Sequence, residues 1–178
     1  MNRQFKIVLT GAESTGKSSL AEGLANHYQT IWIPELARDY VEKLNRKYTY
    51  ADIETIALKQ LETEKNLPSN HSFVFFDTWL IITKVWFDFV YGKHPAWLHQ
   101  AIQTSEIDLF LVCDIDMPWI NDAVRENGGE NRKKLHRIYL AELEAYGFNY
   151  KIVSGTGEER LQNAIGLIEE QRLELSFQ

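Results

Sequence analysis

A glycine-bracketed loop behind an apolar run is the feature that most limits how this chain can fold. FKIVLT, residues 5–10, runs directly into GAESTGKS, residues 11–18, and a helical pattern follows at once. Glycines at both ends of such a loop can turn successive N–H groups inward, and the following helix directs the positive end of its dipole to the same place. The segment therefore predicts a phosphate-binding loop between a buried strand and a helix, as in nucleoside triphosphate-binding proteins.

Each part of this loop has its own predicted role. Lys17 is expected to reach the β- and γ-phosphates of ATP, and the Ser18 hydroxyl is expected to ligate Mg²⁺. The alternative is a glycine-bearing turn with an exposed lysine, but the strand and the helix stand where a phosphate loop requires them. We predict that ATP is bound by the whole run, which comprises Gly11, Ala12, Glu13, Ser14, Thr15, Gly16, Lys17, Ser18 and Ser19.

The rest of the chain alternates short apolar runs with helix-period segments. Runs of this kind are typical of strands buried on both faces of a parallel sheet. They are FKIVLT, IWI, FVFF, LFLVC and YKIVS, at residues 5–10, 31–33, 73–76, 109–113 and 150–154. The alternation predicts an α/β fold of the P-loop nucleoside triphosphatase type, with a five-stranded parallel sheet and helices on both faces.

Length and composition limit the class of protein. With 178 residues, the chain is expected to form a single domain over residues 1–178. A formal net charge of −6 argues against nucleic acid as the main partner, since such binders need a basic surface. The single cysteine and the lack of a signal-peptide pattern or a membrane-length apolar run lead us to expect a cytoplasmic protein with no membrane partner. A homo-oligomer stays open.

Acidic residues follow two of the predicted strands, and ligands of open parallel sheets gather at the carboxyl ends of the strands. Asp77 closes the run FVFFD and could bind Mg²⁺ or accept the proton of an acceptor hydroxyl; the alternative is a helix N-cap. Glu35 follows IWIP, and it shares a helical face with Arg38 and Asp39. This trio could bind a polar substrate or supply a catalytic base, or it could be a surface ion-pair set.

Residues 125–134 form the one long polar, glycine-containing stretch, and we predict a lid over about 122–134. It carries Arg125 and Arg132, which could close over the triphosphate and neutralise charge on the transferring phosphoryl group. The alternative is a solvated charged face.

Residues 77–98 are dense in aromatic side chains. Most of them are expected in the core, because large aromatic residues at helical spacing usually pack there. Trp79 is the one that we place near the acceptor, where its face could stack on a flat or cationic ring.

Several segments together resemble one family. GAESTGKSSL, PELARDY, FVFFDTWLIITKVW, YGKHP and WINDAVRENGGENRKK, in this order over roughly residues 4–170, are similar to the ribosylnicotinamide kinase domain of bacterial NadR-type proteins. The resemblance implies a nucleoside-kinase-like fold. It also implies ATP-dependent phosphorylation of nicotinamide riboside at its 5′-hydroxyl, which gives nicotinamide mononucleotide in NAD salvage.

The motifs and the resemblance together assign the site residues. Catalysis is assigned to Lys17, Asp77, Glu35, Arg125 and Arg132. Binding of the nucleoside is assigned to Glu35, Arg38, Asp39, Asp77 and Trp79. Binding of Mg²⁺ is assigned to Ser18 and Asp77.

Two alternatives to this function stay open. The chain could phosphorylate another nucleoside or nucleotide, or it could be an ATP-binding regulatory switch linked to NAD metabolism. It carries no N-terminal helix-turn-helix segment and no adenylyltransferase domain before the loop, so repressor function and dinucleotide synthesis are not expected.

Overall fold

Five strands alternate with seven helices over residues 3–121 and 125–176, the part of the chain that a computed structural model describes. The strands are β1 (Phe5–Thr10), β2 (Ile31–Ile33), β3 (Phe73–Asp77), β4 (Leu109–Cys113) and β5 (Tyr150–Val153). The helices are α1 (Lys17–His27), α2 (Leu36–Glu42), α3 (Tyr50–Lys65), α4 (Leu80–Tyr91), α5 (Ala96–Gln103), α6 (Gly129–Tyr146) and α7 (Gly157–Ser176).

All five strands are parallel, and they lie in the order β2-β3-β1-β4-β5. Leu9 of the central strand β1 pairs with Asp77 on one side and with Leu111 on the other. The chain thus extends the sheet from β1 first to one side and then to the other, which makes the end of β1 the switch point where ligands of such sheets bind. The five-stranded parallel sheet of the P-loop type that the sequence predicts is confirmed.

Two apolar cores cover the two faces of the sheet. Ile7 and Leu9 share one core with residues of α1 and α7, and Val8 belongs to the other, with residues of α3, α4, α5 and α6. This division follows from the period of a strand, in which successive side chains point to opposite faces. Within the described ranges, no helix is both long enough and apolar enough to cross a membrane.

The first residue after β1 can only be glycine. Gly11 has a φ of +132°, and a Cβ built on it would lie 2.8 Å from the carbonyl oxygen of Cys113 on the neighbouring strand β4. That oxygen belongs to the backbone of a central strand and cannot move aside. The path from β1 into the loop therefore depends on a missing side chain.

Gly11→Ala tests this dependence. We expect a loss of about 1–3 kcal/mol in the free energy of unfolding, because the variant combines a disfavoured φ with a backbone clash. Gly166→Ala is the matched control, since Gly166 lies inside α7 with nothing within 4 Å of a built Cβ. The control should be neutral or stabilised by about 0.5–1 kcal/mol. Urea denaturation measures both, and equal destabilisation of the two variants would contradict the account.

Candidate active site

The loop of residues 11–16, which follows β1, has an irregular backbone. Gly11, Ser14 and Gly16 all have a positive φ, of 132°, 59° and 75°. Gly16 precedes the first turn of α1, and its carbonyl accepts the N–H of Leu20 at 3.0 Å. The loop therefore wraps the positive end of the α1 dipole, as a phosphate-binding loop must.

The carbonyl side of the loop is hydrogen-bonded throughout. The Nζ of Lys17 donates to the carbonyls of Gly11 at 3.1 Å and Ala12 at 2.9 Å, and the Thr15 hydroxyl donates to Ala12 at 2.8 Å. The carbonyls of residues 13–15 are bound by two arginines from the last third of the chain. All six carbonyls of residues 11–16 thus have a donor, which leaves the N–H side of the loop to face an anion.

Arg132 is one of these two arginines. Its guanidinium donates to the carbonyls of Glu13 at 3.1 Å, Ser14 at 2.9 Å and Met117 at 2.7 Å, and the residue is 7% exposed. The sequence predicted a lid arginine that closes over the triphosphate from solvent. The structure instead places it in the first turns of α6, beneath the loop, because three backbone carbonyls satisfy the buried cation there.

Arg160 is the other, and sequence reasoning missed it. Its guanidinium donates to the carbonyls of Thr15 and Gly155 and to the carboxylate of Asp116, and its side chain is 3% exposed. The sequence does carry a signal, since residue 160 lies four and eight positions before Ala164 and Ile168 on the buried stripe of α7. An arginine on an apolar stripe is buried only when it is paired.

Unpaired polar groups gather at the adjacent ends of β1 and β3. The hydroxyls of Thr10 and Thr78 and both carboxylate oxygens of Asp77 are buried with no hydrogen-bond partner of normal geometry among the described residues. Thr78 also has a φ of 70°, which is an outlier for a β-branched residue. Unpaired groups and backbone strain of this kind mark functional sites.

Two acids with raised pKa values lie at this edge of the sheet. Burial raises the pKa of Asp77, and the positive charge of Lys17 and the nearby Ser18 hydroxyl oppose the shift. Burial also raises the pKa of Glu35, which Lys17 lowers and the charge of Asp77 raises further. The positive charge of Lys17 in the phosphate loop therefore lowers the pKa of both acids, against the effect of burial.

The same edge fits a magnesium ion. An unpaired, buried carboxylate at Asp77 and a hydroxyl at Ser18 are oxygen ligands of the kind that Mg²⁺ takes, and it commonly uses one or two carboxylates together with substrate phosphates. Among residues 3–121 and 125–176, no group of three or more histidine, cysteine, aspartate and glutamate side chains could hold a metal by itself.

A cavity of about 860 Å³ extends from the loop to an aromatic wall. Of the predicted ATP-binding run, every residue lines the cavity except Ala12, which is buried. Glu35 and Arg38 line its middle section. The far wall is formed by Tyr48, Ile82, Trp86, Phe89, Val90, Tyr91 and Tyr139.

Trp79 does not reach this cavity. It is 1% exposed and lies in the core that α3 to α6 cover, next to Leu80 and Phe76. Aromatic side chains do line the cavity from helix α4, which follows Trp79, because residues 82, 86, 89 and 90 form one helical face toward the cavity. The sequence already contains this helical spacing, and it is the signal that could have identified Trp86 as a residue that lines the cavity.

Asp39 does not line the cavity either. It is exposed, on a different face of the short helix α2 from Arg38. Arg38 itself forms an ion pair with Glu42 at 2.9 Å. Of the predicted trio, the structure therefore brings Glu35 and Arg38 to the cavity and leaves Asp39 outside it.

Residues 125–128 are the part of the predicted lid that precedes α6; residues 122–124 lie outside the described ranges. Arg125 lines the cavity and donates to the carbonyl of Ile120 at 2.7 Å. The carboxylate of Glu13 accepts the backbone N–H of Asn127 at 2.9 Å and its side-chain amide at 3.0 Å. Residues 126 and 127 are thus bound directly to the phosphate loop.

The fold and the site define a P-loop protein with a large cavity beside the loop, and comparisons agree on the P-loop fold. The chain belongs to the AAA domain family AAA_28, whose family model matches residues 6–160. It is 26% identical over 142 residues to the trifunctional NAD biosynthesis/regulator protein NadR of Salmonella typhimurium, covering 77% of this chain and 35% of that protein. Against NadR of Escherichia coli it is 24% identical over 177 residues, covering 92% and 42%.

A solved structure extends this similarity to three dimensions. The crystal structure of a NadR protein in complex with NR superposes with a TM-score of 0.80 at 25% identity, over 94% of this chain and 51% of that one. The resemblance to NadR-type proteins is therefore confirmed. The chain spans less than half the length of the two curated relatives.

Asp77→Asn should stabilise the fold at neutral pH. The raised pKa means that the folded protein favours the protonated acid, so the charged form costs stability once the pH exceeds that pKa. The gain should be about 1.4 kcal/mol for each unit by which the pKa in the folded protein exceeds that in the unfolded chain, and it should shrink as the pH falls and Asp77 itself becomes neutral.

Denaturant unfolding at pH 8, 7, 6 and 5 measures this difference. The exposed Asp39 supplies the control, since Asp39→Asn should leave stability unchanged at each pH. A variant at position 77 that is less stable than the wild type at pH 7 would show that the carboxylate is not the destabilising group.

Proposed function

We propose that the chain is an ATP-dependent nucleoside kinase, and that it phosphorylates nicotinamide riboside at its 5′-hydroxyl to give nicotinamide mononucleotide. The observation that carries the proposal is the continuous cavity, which joins the phosphate loop, the acid Glu35 and an aromatic wall. Phosphoryl transfer needs little more than such positioning together with charge stabilisation.

The phosphate end of the cavity would bind ATP. The N–H groups of residues 14–16 and the α1 dipole would supply positive potential for the β- and γ-phosphates. Lys17, whose Nζ is bonded to the carbonyls of Gly11 and Ala12, would turn from them to reach the phosphates. Asp77 and Ser18 would hold Mg²⁺, which when bound would neutralise charge on the phosphates. Arg125 lines the cavity on the lid side and would face the same charge.

The acid in the middle of the cavity would activate the acceptor. Glu35 lines the cavity, whereas Asp77 lies behind it, so Glu35 is the group that can accept the proton of a nucleoside hydroxyl. Its raised pKa brings it closer to neutral pH, where a general base works best. Arg38, one helical turn further on, would orient the ribose.

The aromatic wall suits a flat, positively charged ring. Trp86 and Tyr48 meet edge to face with their ring centroids 4.7 Å apart, and both line the cavity. The Tyr48 hydroxyl donates to the carboxylate of Glu126 at 3.2 Å, which adds negative charge beside the rings. Indole faces attract cations, and the pyridinium of nicotinamide riboside is one. The complex of the similar NadR protein with NR supports this choice of acceptor.

A coupled assay of ADP release tests the reaction. With ATP and magnesium present, we expect turnover with nicotinamide riboside that exceeds turnover with uridine, cytidine or deoxynucleosides. Glu35→Gln should lower kcat by about 10²–10⁴-fold, since it removes the proposed base, and it should abolish the loss of activity at acid pH. The exposed residue Glu22 on α1 supplies the control variant Glu22→Gln, which should behave as the wild type.

Two results would overturn parts of this proposal. Turnover only with a common nucleoside would reject nicotinamide riboside as the acceptor while keeping the kinase. ATP hydrolysis that no nucleoside accelerates would favour a nucleotide-dependent switch instead.

Trp86→Ala separates acceptor binding from ATP binding. Loss of a stacking face should raise the KM for nicotinamide riboside by about 10–100-fold, because stacking on an aromatic side chain contributes about 1–3 kcal/mol. The KM for ATP should change little, and Trp86→Phe, which keeps a ring, should lie between. Steady-state kinetics measure these constants. An unchanged KM for the riboside in Trp86→Ala would show that the nicotinamide ring does not stack on Trp86.

A further inference from the structure

We propose that Arg132 and Arg160 are positioning residues that set the orientation of the phosphate loop for phosphoryl transfer. Neither role is implied by the loop motif itself, since both residues lie more than 110 positions further along the chain. The inference depends on the proposed function for its kinetic readout only.

The geometry of the peptide unit links these arginines to the bound anion. In a planar trans peptide, the carbonyl of one residue and the N–H of the next point in opposite directions. Arg132 holds the carbonyls of Glu13 and Ser14, and Arg160 holds that of Thr15. The N–H groups of residues 14–16 must therefore point away from the two guanidinium groups, toward the cavity.

The two guanidinium groups also fix where the loop sits in the molecule. Arg132 bonds the carbonyl of Met117, and Arg160 bonds Gly155 and the carboxylate of Asp116. The loops after β4 and β5 are thereby attached to the phosphate loop. A guanidinium group can do this because it presents several donors in one plane, whereas an ammonium group acts as a single point.

The charges of the two arginines are balanced differently. Arg160 is paired with Asp116, so its role is mainly geometric. The three hydrogen bonds of Arg132 go to neutral carbonyls, and Asp116 and Asp114 act on its charge without a hydrogen bond, so this buried cation lies beneath a loop that we expect to bind a triphosphate. A fixed charge in a water-excluded place stabilises developing negative charge without reorganising.

Arg160→Lys and Arg132→Lys in the whole chain test the proposal. Each lysine keeps the positive charge but cannot reproduce the fork of donors. We expect the dissociation constant of Mg²⁺-AMP-PNP, measured by calorimetry, to rise about 10-fold, since every tenfold change corresponds to about 1.4 kcal/mol. We expect kcat at saturating ATP to fall about 10²-fold, the size of effect that a misplaced reacting group produces. The KM for the nucleoside should stay within about twofold of the wild type, since neither residue lines the aromatic wall.

Matched controls come from the same two helices. Arg137 of α6 and Arg172 of α7 are exposed, and their lysine variants should match the wild type in every measurement. Thermal unfolding is recorded for all four variants, and kinetics are measured well below each midpoint. If a variant at 132 or 160 then shows wild-type kcat and AMP-PNP affinity, the residue serves stability alone and the proposal is wrong.

The experiment distinguishes failure of the proposed function from failure of the inference about the two arginines. A wild-type protein that phosphorylates no nucleoside would reject the kinase, while the comparison of AMP-PNP affinities would still decide the role of the arginines. A loss of AMP-PNP affinity in the variants at 132 and 160, absent from the controls, would support the inference in either case.

Discussion

The candidate site depends on cationic side chains that hold the carbonyl side of the phosphate loop. Lys17, Arg132 and Arg160 bind five of the six carbonyls between Gly11 and Gly16. An anion-binding loop must turn its N–H groups one way, and the carbonyls that then face the other way need donors of their own. Buried guanidinium groups meet that need within the fold, so the shape of the loop does not have to be created by the ligand.

The adjacent ends of β1 and β3 show the opposite arrangement, in which buried polar side chains lack hydrogen-bond partners of normal geometry among the described residues. Where the loop is fully hydrogen-bonded on one side, the side-chain oxygens of Thr10, Asp77 and Thr78 are buried with no partner of normal geometry in the described part of the chain, and Thr78 has a strained backbone. Each such group costs about 1–3 kcal/mol. Two apolar cores on either face of the sheet offset that cost, which is why the unsatisfied groups can persist at the switch point without unfolding it.

The sheet, the loop and the two acids could be predicted because their signals are local. Apolar runs define the strands, and the end of a parallel strand places Asp77 and Glu35 at one edge whatever the details of packing. Contacts between distant segments could not be predicted. Arg160 meets Thr15 across 145 positions of the chain. That Trp86 lines the cavity and Trp79 does not depends on which face of α4 packs in the core, and proximity to Asp77 in the sequence did not indicate it.

The two ends of the cavity are joined by one segment of chain. The backbone N–H of Ile120 donates to the Ser14 hydroxyl at 2.9 Å, and Glu13 accepts two hydrogen bonds from Asn127, so Ile120 and Asn127 are both attached to the phosphate loop. The next residue back, Glu126, accepts the Tyr48 hydroxyl at the aromatic wall. Glu13 and Glu126 thus lie one at each end of this connection, Glu13 at the phosphate loop and Glu126 at the aromatic wall. Residues of the same stretch therefore contact both the end of the cavity that we propose binds ATP and the aromatic wall that we propose binds the nucleoside.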